Sequence, residues 1–89
     1  MCRSIKPLNN FAPPATDHEV HEAALQYVRK IAGTVRPAQV NEAVFALAVQ
    51  QIAAASRELL DGLVTTAPPK DRATEAAKAK ARSVARYGA

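Results

Sequence analysis

From residue 17 onward the apolar positions recur at helical spacing. Val20, Ala24, Tyr27, Val28 and Ile31 fall on one face, three or four residues apart. Ahead of them, Thr16-Asp17-His18-Glu19 has the form of a capping box, in which the Thr hydroxyl and the Glu carboxylate satisfy each other's free backbone donors. Asp17, Glu19 and Glu22 sit at the positive end of the dipole, Arg29 and Lys30 at the negative end. Gly33 is a natural left-handed stop. These signals predict a first helix over about residues 17–32. A second, broader stripe follows: Val44, Phe45, Ala48, Val49, Ile52, Ser56, Leu59, Leu60 and Leu63. Pro37 suits its first position, with Asn41 as an alternative cap, and Gly62 its stop. This helix is predicted to be the longest element and the centre of the core.

The flanks read differently. Residues 1–15 have no period and contain Pro7, Pro13 and Pro14, so an extended arm is expected, with Ile5, Leu8 and Phe11 pinning it onto the helices. Thr65 to Pro69 is a boundary, since two prolines bar a continuous helix. Residues 70–87, rich in Ala, Lys, Arg and Glu, predict a third helix. The expected fold is all-α: a helical hairpin, an extended N-terminal arm and a basic C-terminal helix. Arm and hairpin occupy 1–69. The segment 70–89 belongs to the same domain or is a docking arm.

Size sharpens the picture. A chain of 89 residues allows one domain, and one this short buries only about 60–65% of its unfolded surface. Much of its apolar content is alanine, and the aromatic residues are only Phe11, Tyr27, Phe45 and Tyr87. One hairpin cannot cover so broad a stripe, so dimerisation through the second helix is expected. A subunit of a larger complex is the alternative. No apolar run approaches the roughly 20 residues of a membrane span, and no apolar stretch follows Arg3 and Lys6 as in a signal peptide. The single Cys2 excludes an internal disulfide and suits a reducing cytoplasm.

Charge separates the two parts of the chain. Residues 1–69 hold six basic and six acidic side chains. Residues 70–89 hold Lys70, Arg72, Lys78, Lys80, Arg82 and Arg86 against Asp71 and Glu75, which is the entire net charge of +4. On a helix, Lys78, Arg82 and Arg86 stack in one row, with Arg72 and Glu75 beside it. Ala73, Ala77, Ala81 and Val84 lie opposite, with Lys80 and Tyr87 on their shoulder. The expected partner is anionic: nucleic acid or a ribonucleoprotein first, an acidic protein second. Binding would be salt-dependent and of low sequence specificity. The plainer alternatives are a solvated helix that keeps the protein in solution, or one folded back on its own domain. A helix-turn-helix reading fails because Arg57 is the only basic residue of helix two.

Catalytic signatures are missing from the sequence. No Ser/His/Asp set, glycine-rich phosphate loop or other catalytic constellation stands out, so no catalytic residue, cofactor or metal is expected. His18 and His21 are three apart, one residue short of the helical zinc spacing, and read as solvated. Cys2 carries the alternative chemistry. Removal of Met1 would leave its thiol beside a free amine, with Arg3 favouring the thiolate, which points to a redox or metal-dependent role.

Whole segments resemble the bacterial domain-of-unknown-function family 2277. The matching stretches are Met1-Cys2-Arg3-Ser4-Ile5-Lys6, Pro13-Pro14-Ala15-Thr16, residues 23–30, Asn41-Glu42-Ala43, residues 52–60, Ala67-Pro68-Pro69 with Asp71-Arg72, and the closing Ala-Arg-rich helix to Arg86-Tyr87-Gly88. The opening Met-Cys-Arg and the stretch 67–72 are the most specific. The resemblance implies an intracellular bacterial protein of this size and brings no assigned activity or site residues. The family usually carries other polar residues where His18 and His21 stand.

Overall fold

The computed structural model of the chain describes residues 5–87, of Tyr87 the backbone alone. In chain order they form β1 (Phe11–Ala12), α1 (Asp17–Ala32), a 3-10 turn (Gln39–Asn41), α2 (Glu42–Gly62), β2 (Lys70–Asp71) and α3 (Arg72–Tyr87). The fold is all-α but for the two-residue β pair.

α1 begins and ends where its sequence says. Glu19 N donates to Thr16 Oγ1 at 3.2 Å, and Thr16 N donates to Glu19 Oε1 at 3.0 Å, closing the capping box. Gly33 takes the left-handed conformation (φ 73°), and both Gly33 N and Thr34 N donate to the Arg29 carbonyl. The Arg29 Nε bond to the Val35 carbonyl then folds the connecting loop back on the helix end.

α2 runs antiparallel to α1: Arg57, near its end, reaches Ala15 and Asp17 at the start of α1, while Val44 and Ala48 lie beside Tyr27 and Ile31 at the other end. The shared core is small. Val20, Ala24, Val28 and Val49 are buried, and Leu25, Phe45, Ala48, Ile52 and Ala53 are half-buried against them.

Two boundaries differ from the sequence reading. Pro37 does not open the second helix; it lies outside the 3-10 turn, and the α-helix begins at Glu42. Asn41 holds the cap position without a side-chain capping bond. α2 stops at Gly62, its last helical residue, as its sequence predicts. Leu63 N still bonds to Leu59 O, and the chain leaves in an extended conformation at Leu63 (ψ 133°). α3 begins at Arg72 because Lys70 and Asp71 are drawn into a strand pair. By length and composition alone, Gln39–Gly62 is apolar enough to cross a membrane, an 18-residue window of it averaging 1.2 in hydropathy, although Gln50-Gln51 and Arg57-Glu58 interrupt it and no unbroken apolar run approaches that length.

The arm is extended but does not dock through its apolar residues alone. It turns at Asn10, whose φ of 62° lies in the left-handed region that asparagine tolerates. β1 then pairs in parallel with β2, Phe11 opposite Lys70 and Ala12 opposite Asp71. Lys70 N donates to the Asn10 carbonyl at 2.8 Å, and Asn10 Nδ2 donates to the carbonyls of Pro68 (3.1 Å) and Ala67 (3.3 Å). The proline step is therefore held by the arm. From Ala76 to Arg86, α3 is exposed on every side.

Candidate anion-binding cleft

The arm and the near side of α3 enclose a cleft of about 510 Å³. Its polar lining comes from three separated stretches: Lys6 of the arm, Glu19 of α1, and Lys70, Arg72, Glu75 and Arg82 of β2 and α3. Pro7, Leu8, Phe11, Ala76 and Ala79 supply the apolar floor.

Arg72 aligns the parts. Its Nη1 and Nη2 donate to Glu19 Oε2 and Oε1 at 2.8 and 2.9 Å, a bidentate pair, and its Nε donates to the Pro13 carbonyl at 2.8 Å. One guanidinium thus joins α3, the arm and the capping residue of α1. The Arg72 hydrogen bond, followed by the Thr16 backbone bond, lowers the Glu19 carboxyl to a pKa of about 2. The same pair raises Arg72. Two cations stand over the Phe11 ring, Lys70 Nζ 5.4 Å and the Arg72 guanidinium carbon 5.6 Å from its centroid.

Asp71 starts α3. Its Oδ2 accepts from Thr74 N and Thr74 Oγ1, both at 2.8 Å, and these two bonds hold its carboxyl below the ordinary aspartate range. The Asp-x-x-Thr spacing after two prolines was a readable start signal. The joint role of Lys6, Lys70 and Phe11 was not readable, because a chain reversal about 60 residues long brings them together.

The five basic residues singled out on the sequence take different places. Arg82 lines the cleft. Arg72 lines it too, with its fork committed to Glu19 and Pro13. Lys78 stands 3.7 Å from Glu75. Lys80 and Arg86 are exposed. Cys2 lies outside the described residues, as does the side chain of Tyr87. Arg57 bonds Asp61 Oδ1 at 2.8 Å and the Ala15 carbonyl at 3.1 Å. Among the described residues no three His, Cys, Asp or Glu side chains are grouped to hold a metal ion. The cleft gathers the side chains of Lys6, Lys70 and Arg82 beside an apolar floor, with Arg72 paired to Glu19 at its edge.

Residues 1–78 match the family DUF2277, described as an uncharacterised conserved protein, and the chain belongs to that family. No curated protein and no solved structure matches it.

Proposed function

We propose that the protein is a non-enzymatic binding module that docks an anionic partner in the cleft between its arm and α3. Nucleic acid or a ribonucleoprotein is the leading partner class. The observation that carries this reading is the convergence of Lys6, Lys70 and Arg82 from distant parts of the chain. Two of the acids beside them are already neutralised or paired, Glu19 by Arg72 and Glu75 by Lys78. A cationic cleft attracts phosphates without reading bases, and Phe11 offers one aromatic face against which a base could rest.

Fluorescence anisotropy with a labelled single-stranded RNA and a DNA duplex tests the reading. Binding at low salt is expected, weakening with added salt in proportion to the contacts made, with a log–log slope of about −0.7 to −0.9 per phosphate. Replacing Lys70 and Arg82 by Gln should weaken binding and reduce that slope by about two contacts. Absence of binding at low salt to both nucleic acids, or full binding by the double variant, overturns the nucleic-acid reading. Substitution is the cleaner tool than removing residues 70–89, because that deletion also takes away the partners of Asn10, Pro13 and Glu19.

A further inference from the structure

We infer that the side of the helical hairpin bearing Tyr27, Ile31, Val44, Ala48 and Ile52 is the contact face of a homodimer, covered by the same face of a second copy. Three observations converge on it, none of them involving the anion-binding cleft.

The first is area. The chain exposes 7011 Å², whereas a compact monomer of its mass exposes about 5,000 Å². Its radius of gyration is 15.7 Å against about 12 Å for a compact domain of this length. A standard interface covers about 800 Å² per partner, and obligate homodimers cover more. The surplus of about 2,000 Å² leaves ample room for that after the arm and the projecting α3 take their share. The slab is only 18 Å thick, thin for a domain that normally stacks two layers around its core.

The second is where the apolar surface lies. Ile31 is 72% exposed and Val44 63%, and both border a groove of about 390 Å³ between the end of α1 and the start of α2. None of the side chains lining it is charged. At 100° per residue, Val44, Ala48, Ile52, Ala55 and Leu59 continue this groove as one stripe along α2. Of the charged residues of α2, Glu42, Arg57 and Asp61 fall on the other side, Arg57 directly opposite the stripe, while Glu58 borders its edge.

The third is what the missing charge says about the occupant. Interfaces between separable, unlike partners are about as polar as the rest of a surface, whereas those between copies are more apolar. Alternation of Ala48 and Ala55 with Val44, Ile52 and Leu59 also gives a ridge-and-groove surface that an identical helix can fill across a twofold axis.

Light scattering and sedimentation on the full chain test this. A mass of twice 9.5 kDa, and a melting midpoint that rises with protein concentration, are expected. V44K and I31K, which place a charge on the stripe, should halve the mass and remove the concentration dependence. A46K, on the opposite face of α2, should leave the dimer intact. A wild-type chain that stays monomeric at about 100 μM with full helicity overturns the inference. So does a 1:1 complex with a different protein that only V44K and I31K abolish, or partition into lipid vesicles that the same two substitutions prevent.

Discussion

The two halves of this molecule are tied together by opposite means. In the hairpin, α1 and α2 meet through Ala24, Val28 and Val49, with Phe45 and Ile52 packed against them, and the contact is almost wholly one of apolar surface removed from water. In the other half, the arm meets β2 and the start of α3 through a two-residue strand pair, an asparagine bridging two carbonyls, the Arg72 bond to the Pro13 carbonyl and a ring near two cations, and a bidentate ion pair ties Arg72 to α1. Burial is non-directional and tolerates sliding. Hydrogen bonds and forked ion pairs are directional and set a register while contributing little net energy at an exposed site. The hairpin therefore supplies stability, and the arm–α3 half supplies geometry. The two arginines show the division. Arg57 ties the arm to α2 through the Ala15 carbonyl, and Arg72 ties it to α3 through Pro13 while gripping the first turn of α1.

The largest effect is expected from a charge placed in the hairpin core. Val49→Asp places a carboxylate at a position 5% exposed with no cation beside it. The penalty of several kcal/mol rivals the whole stability of so small a domain, roughly 5 kcal/mol, so the cooperative transition followed by circular dichroism should disappear. A next step down is Thr16→Ala, which removes one half of the capping box of α1. A loss of about 1 kcal/mol is expected, read as a fall in melting midpoint of about 4–8 °C.

Acid should separate the halves. Glu19 has a folded pKa of about 2, below its ordinary 4.5. A depressed carboxyl contributes stability that is complete above the unfolded value and is lost as pH falls through the folded one. Between about pH 4.5 and 2 the tie from Arg72 of α3 to Glu19 of α1 should loosen while the helical signal of the hairpin persists. Hydrogen exchange at Lys70 N, two residues before Arg72 and bonded to Asn10 O, reports whether the strand pair loosens with it. Glu19→Gln sharpens the comparison, because glutamine can keep the capping bond to Thr16 N yet removes the charge that Arg72 grips. That variant should show fast exchange at Lys70 already at neutral pH and little change of melting midpoint. If Lys70 stays protected in it, the ion pair does not set the arm's position. The smallest effect belongs to Glu75→Gln. Its i,i+3 pair with Lys78 is half-exposed, so a loss of about 0.2–0.5 kcal/mol is expected, shrinking further in salt.

Local chemistry made much of the hairpin readable. Thr16 and Glu19 lie three residues apart in sequence and bond each other in space, and Gly33 needs only its own backbone freedom to end α1. Signals of that range survive any tertiary arrangement. At two boundaries the local reading slipped. Pro37 suited the first position of α2, yet a 3-10 turn intervenes and the helix begins at Glu42. Lys70 was a fair start for α3, yet its amide is taken by Asn10, 60 residues away. The basic row of α3 was legible as a row. Its division into Arg72 turned inward, Arg82 on the cleft and Lys78 beside Glu75 was not, because it depends on where the arm returns.

Three helices, the cap and stop of α1, an all-α class and a net positive charge confined to the last twenty residues follow from residues within a turn or two of one another. Only the tertiary structure decided that the arm and α3 share a parallel strand pair, that Glu19 both caps α1 and holds Arg72, and that Lys6, Lys70 and Arg82 line one cleft. Those pairings join the arm and the first turn of α1 to residues more than 50 positions further along the chain. Their partners are chosen by direction and distance in the folded chain, which no short-range periodicity records.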